Sequence, residues 1–120
     1  MLYVFSEAEA WASGAAVALM VMDIVTGFAG SIITRAFQSS KMREGLGHKF
    51  LVLCIMAVAV LLEVAGQHVA GLPFAGVAVV PVSVYVIVME VGSICENVVK
   101  AYPDLAETPL IKLFVPKDGE

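Results

Sequence analysis

Three long apolar runs organise the chain, over residues 11–34, 50–70 and 74–98, with short polar stretches between and around them. A helix rises about 1.5 Å per residue, so about 20 residues cross a hydrocarbon core of about 30 Å. Each run reaches that length. Lipid offers the backbone no hydrogen-bond partners, so each run must satisfy its own peptide groups, and the pattern predicts three membrane-spanning helices. One local signal points elsewhere: Val82, Val84, Val86 and Val88 alternate with other residues as in a strand. The run is far too long for one strand, and the residues between these valines are largely apolar as well, so helix is the reading. Pro73 suits the first turn of the third helix, and Pro81 is expected to kink it.

Composition agrees. Hydrophobic residues make up 60% of the 120 and charged residues 15%, with a mean hydropathy of +0.92. A soluble domain has about 45–50% apolar and about 25% charged residues, and a soluble fold of this length could not bury so much apolar surface. The formal charge of −4 lends no support to nucleic-acid binding, which needs a clustered basic surface.

The placement of the cations sets an orientation. All seven Lys and Arg residues fall in two groups, Arg35, Lys41, Arg43 and Lys49, then Lys100, Lys112 and Lys117. Positive loops stay in the cytoplasm, so a cytoplasmic loop over 35–49 and a cytoplasmic tail over 99–120 are expected. The N-terminal segment carries Glu7 and Glu9 and no Lys or Arg, so it is expected outside. The same acidic start argues against a cleaved signal peptide, which opens on a basic region. Tyr3 and Trp11 fit an outer interface anchor and Tyr102 an inner one. The fold class read from the chain is thus an all-α membrane protein of three transmembrane helices, N-terminus outside and C-terminus cytoplasmic.

Catalytic and metal chemistry find no foothold. Cys54 and Cys95 read as inert buried thiols on helices. His48 and His68 are expected on opposite sides of the membrane, so no metal spacing exists. There is no nucleophile constellation, phosphate loop or cofactor fingerprint, and no enzyme or cofactor is expected.

The polar residues inside the spans are the informative ones. Around the first helix, with Asp23 as origin and about 100° per residue, Thr26, Gly27, Gly30, Ser31 and Thr34 lie within about 80° of it. Ala12 and Ala16 extend that face, while Val25, Phe28 and Ile32 lie opposite. Small residues let helices approach closely and polar ones hydrogen-bond across the contact, so the face is either a tight helix interface or a surface that lines water after assembly. In the second span Ala59, Glu63, Gly66, Gln67 and Ala70 share a face. In the third, Glu90, Ser93 and Asn97 form a stripe with Glu96 off it. An ionisable group in a span costs several kcal/mol and marks function by default. Asp23, Glu63 and Glu90 have no expected Lys or Arg partner within the membrane, so protonation, hydrogen bonding or hydration in an assembled state must accommodate them. Glu96 and Asn97 are expected to reach the inner interface.

Two stretches resemble a known family. Residues 22–50, MDIVTGFAGSIITRAFQSSKMREGLGHKF, resemble the first half of the phage lysis and toxin-secretion holins of Gram-positive systems. Asp23, Thr26 and Gly27 match an Asp-x-x-Thr-Gly step in the first span, Ser39 and Ser40 a Ser-rich loop, and Gly45, Leu46 and Lys49 a Gly-x-x-Lys entry to the next helix, here one residue longer than its simplest form. Residues 89–98, MEVGSICENV, resemble the family's Glu-x-x-Ser-x-x-Glu-Asn pattern through Glu90, Ser93, Glu96 and Asn97, with Pro103 soon after. The likeness covers about residues 20–105 and implies a single holin-like membrane domain over 1–120. It further implies a homo-oligomer in the bacterial cytoplasmic membrane, in contact with lipid, that opens lesions for a cell-wall hydrolase or a toxin. Two other functions fit the residues: a small oligomer conducting ions or protons through Asp23, Glu63 and Glu90, or a membrane anchor docking a cytoplasmic partner on its tail.

Overall fold

Ser6 opens the first helix with a reciprocal cap. Its hydroxyl accepts from the Glu9 backbone N–H at 3.1 Å, and the Glu9 carboxylate accepts from the Ser6 N–H at 3.0 Å. This satisfies two of the donors that a helix start leaves over. The computed structural model describes residues 6–72 and 78–114 and is all-α over them. The helices are α1 (Glu7–Ile33), α2 (Ser39–His68) and α3 (Val79–Ala101), then a short 3-10 turn at Pro103–Glu107 and α4 (Pro109–Phe114). The first three are each long and apolar enough to cross a membrane. Tyr3, Pro73 and Lys117 lie outside the described residues.

The turn between α1 and α2 is tighter than the sequence suggests. The N–H of Ala36 donates to Ser31 O and that of Arg35 to Ile32 O, the paired closure of a helix C-terminus. Arg35 takes the left-handed conformation this closure needs, with φ 57°. The next helix starts at Ser39, so the expected loop over 35–49 is not a loop beyond residue 38. Ser39–Phe50 holds Gly45 and Gly47 but no proline, and two glycines, at about 1 kcal/mol each, do not stop a 30-residue helix that is anchored in the bundle by Val52, Met56, Ala59 and Glu63.

α1 and α3 run parallel and form the main contact, with α2 antiparallel to both and lying mainly on α3. Ala16, Met20, Val52, Met56 and Val86 make the apolar core between them. Outward-facing residues are apolar too: Trp11, Val21, Phe28 and Ile32 on α1, Phe50, Leu51, Ile55 and Leu61 on α2, Tyr85 and Val88 on α3 are exposed. An apolar exterior around a small apolar core is the arrangement lipid stabilises and water does not. Cys95 is buried as expected, but Cys54 is on this outer surface. The Val82–Val88 alternation sits within α3. Pro81 does not kink α3; it occupies the first turn, where its missing N–H would have had no intrahelical partner.

The small residues of α1 set its distance from α3. A Cβ on Gly30 would stand 3.4 Å from the backbone oxygen of Asn97, and one on Gly27 3.5 Å from its side-chain nitrogen. Gly30→Leu is therefore expected to push α1 off α3, at about 1–3 kcal/mol for overpacking. The thermal midpoint of the purified protein should fall while membrane insertion stays normal, and Gly30→Ala should cost much less. An unchanged midpoint for the leucine variant would mean that the approach of these helices is not tight.

Candidate functional site

The parallel register of α1 and α3 places Asp23 beside Glu90, Ser93 and Asn97, and the antiparallel α2 brings Lys49 to the same level. Lys49 Nζ donates to Asp23 Oδ2 at 2.5 Å and to Glu90 Oε2 at 2.9 Å. Ser93 Oγ donates to Asp23 Oδ1 at 2.8 Å, and Asn97 Nδ2 to the same oxygen at 2.7 Å. Asn97 also donates to Thr26 Oγ1 at 3.1 Å. The charged side chains are well shielded, with 14% of Lys49, 7% of Asp23 and 2% of Glu90 exposed. Three helices are thus tied by one lysine and one aspartate. Such pairs in a shielded site are strong only when the remaining lone pairs are also satisfied, as they are on Asp23.

This corrects two expectations. The acids Asp23 and Glu90 do have a cationic partner inside the helix bundle, and it is Lys49. Lys49 is not a loop cation: it stands in the third turn of α2 with its side chain turned inward. Arg35, Lys41 and Arg43 stay exposed around the turn.

The stripes expected on the helices are otherwise largely assembled here. Asp23, Thr26, Gly27, Gly30, Glu90, Ser93 and Asn97 meet at the α1–α3 contact. Asn97 is drawn into this contact, whereas Glu96 is exposed. Ser31 and Thr34 bond back to the carbonyls of Gly27 and Gly30, both at 2.9 Å, and so make no contact across helices through their hydroxyls. Glu63 is apart from the cluster. It is wholly buried near the far end of α2 and accepts from the N–H groups of Ala78 and Val79 at 2.7 and 2.8 Å, which caps the start of α3. Of its expected face, Ala59 is buried with it, and Gln67 and Ala70 are exposed. His48 and His68 stand 20 residues apart on α2, about 30 Å along the helix.

A cavity of about 370 Å³ opens onto the cluster from the turn side of the bundle. Asp23, Lys49 and Glu90 form part of its wall, and Gln38, Lys41 and His48 line it nearer the turn. Of these three, the sequence marks Lys41 only as a topology cation and His48 only as a residue without a metal partner, and it does not single out Gln38. One signal was available for the lysine at the centre: Asp23 lies ten residues before the end of α1, and Lys49 ten after the start of α2. Two helices joined by a tight turn put such positions at equal depth.

The fold and this cluster define a class: an all-helical membrane protein, apolar on its outer surface, with buried charge shared among its three long helices. The chain belongs to the bacteriophage holin family, whose sequence profile matches residues 2–106. Comparison with curated proteins and with solved structures found no match. Family membership and the three long apolar helices make this a multi-pass protein of the cytoplasmic membrane, in a pore-forming and non-enzymatic family.

Proposed function

We propose that this chain oligomerises in the host cytoplasmic membrane and opens lesions through which a cell-wall hydrolase or a toxin crosses. The observation that carries the reading is the buried Asp23–Lys49–Glu90 cluster inside a bundle whose exterior is apolar, in a chain of the holin family. A single bundle exposes little polar surface along its length. Its strongest polar face, on α1, is spent on α3 within the same chain. To line a water-filled lesion, α1 and α3 must exchange part of this contact for contacts with other copies or with water. The cavity beside Lys49 is where water gains access first. Opening is then a cooperative exchange of packed for hydrated polar faces, with Asp23, Thr26, Gly27, Gly30, Ser31, Thr34, Glu90, Ser93, Glu96 and Asn97 as the lining and assembly residues and Glu63 holding the far end of α3 in place.

The orientation in this reading has the N-terminus outside and the α1–α2 turn and the tail in the cytoplasm, because Arg35, Lys41 and Arg43 crowd the turn.

Inducible expression tests the function, with membrane potential and release of a folded cytoplasmic reporter recorded together. Loss of potential accompanied by reporter release is the expected result. Loss of potential without release would instead identify an ion-conducting oligomer, and harmless expression an anchor. The orientation is tested in the same cells. In a Cys54→Ala, Cys95→Ala background, a membrane-impermeant thiol reagent should label a cysteine placed at Ser6 but not one at Ser39 before lysis. Labelling at Ser39 would reverse the topology.

A further inference from the structure

Charge does not balance within the cluster. Two carboxyl groups, Asp23 and Glu90, share one ammonium, Lys49, and all three side chains are largely shielded from water. As fully ionised groups they would hold one uncompensated negative charge among apolar helices, a costly state that a group relieves by taking up a proton. The geometry indicates where that proton goes. Asp23 Oδ2 and Glu90 Oε2 both accept from the same Lys49 Nζ, at 2.5 and 2.9 Å, so the two carboxyls stand beside one ammonium that can compensate only one of them. Asp23 already accepts from Lys49, Ser93 and Asn97, whereas Glu90 accepts from Lys49 among the described residues. More donors hold the charge on Asp23 than on Glu90.

We infer that the Asp23–Lys49–Glu90 cluster is a proton-binding site, with one proton carried on the Glu90 carboxyl while the three helices are packed. The proton comes from water entering the cavity and returns to it; no bond other than the O–H bond forms or breaks. Asp23 from α1, Lys49, Lys41 and His48 from α2, and Glu90 from α3 are the ionisable groups that line this cavity among the described residues. Lys41 and His48 are exposed nearer the turn, where water screens them. The sign follows. The packed bundle binds the proton, and separated, hydrated helices do not need it. Raising the pH therefore removes the proton, leaves the extra negative charge between α1 and α3, and favours separation. The proton site stands on the cluster alone, while its coupling to lesion opening rests on the holin reading above.

Infrared difference spectroscopy on the full chain in lipid nanodiscs, titrated with pH, tests the site. The wild-type protein should show a protonated-carboxyl C=O band that disappears as the pH is raised. Glu90→Gln should lack the band, and Glu63→Gln, which alters a wholly buried glutamate outside the cluster, should retain it. Absence of the band in wild type, or its persistence in Glu90→Gln with helix content unchanged by circular dichroism, would overturn the proposal. Since the band is read without any lysis, its failure is distinguishable from failure of the lytic function. The coupling is read separately in cells whose cytoplasmic pH is clamped: lesion opening by wild type should come earlier at higher pH, and opening by Glu90→Gln should lose that dependence. An equal pH dependence in both would overturn the coupling.

Discussion

Lys49→Met is expected to be the most damaging single substitution in the bundle. Methionine keeps most of the length and apolar stem of lysine, but it leaves the Asp23 and Glu90 carboxyls facing one another with no cation. Removing one partner from a buried charged group costs about 3–5 kcal/mol, a large share of the roughly 5–15 kcal/mol that holds a domain together. The variant should insert, because α2 becomes more apolar, yet its thermal midpoint in detergent should drop sharply and lysis should be lost. The mechanism predicts a rescue. Lys49→Met combined with Asp23→Asn and Glu90→Gln carries no charge in the cluster and should regain much of the lost stability. It should not regain lysis if ionised groups are needed in the hydrated state. A midpoint for Lys49→Met equal to that of the wild type would show that Lys49 does not bridge the two acids in the membrane.

Asp23 is the second expected large effect, and two substitutions separate what it does. Asp23→Leu removes the acceptor for Ser93 and the shorter of the acceptors for Asn97, which keeps Thr26 Oγ1, while Lys49 keeps Glu90 as its partner. Stranding polar donors in a shielded contact costs about 1–3 kcal/mol each, so a loss of about 3 kcal/mol and a weakened α1–α3 contact are expected. Asp23→Asn keeps an oxygen for those donors and removes only the charge, so it should fold and crosslink into oligomers at near wild-type levels. If the carboxylate has to ionise in a hydrated lesion, the asparagine variant should still delay or abolish lysis. Lysis timing and crosslinking ladders, measured on both variants, decide this. Wild-type lysis by Asp23→Asn would reduce Asp23 to a helix tie, and wild-type lysis by Asp23→Leu at equal membrane abundance would remove it from the mechanism.

Both effects pass through contacts that join residues far apart in the chain, and the sequence was unequally informative about them. Asp23, Glu90 and Ser93 are legible as single polar positions in apolar runs, and Asn97 through the stripe it shares with Glu90 and Ser93. Helical periodicity then assigned them to shared faces, since an angle around a helix depends on residue count alone. Lys49 was misread because it sits at the edge of a polar stretch, where the local pattern looks the same for a loop cation and for the third turn of a helix. The helix start at Ser39 decides between them, and that start depends on the tight closure around Arg35. Pro81 was misread for a similar reason: whether a proline kinks a helix or begins one depends on where the helix starts.

What the sequence determined by itself is therefore one-dimensional: three apolar segments long enough to span a membrane, a concentration of cations between the first two, the polar stripe on each helix, and the motifs that mark the holin family. Hydropathy, length and angular position are properties of one segment at a time, and lipid enforces them without reference to the rest of the fold. Only the tertiary structure decided that the small face of α1 is occupied by α3 of the same chain, that Glu63 caps α3 away from the other acids, and that Lys49 stands between Asp23 and Glu90. Those outcomes depend on the relative direction and register of helices. A shift of one turn, about 5.4 Å, would leave every stripe intact and carry the lysine out of reach of both carboxyls.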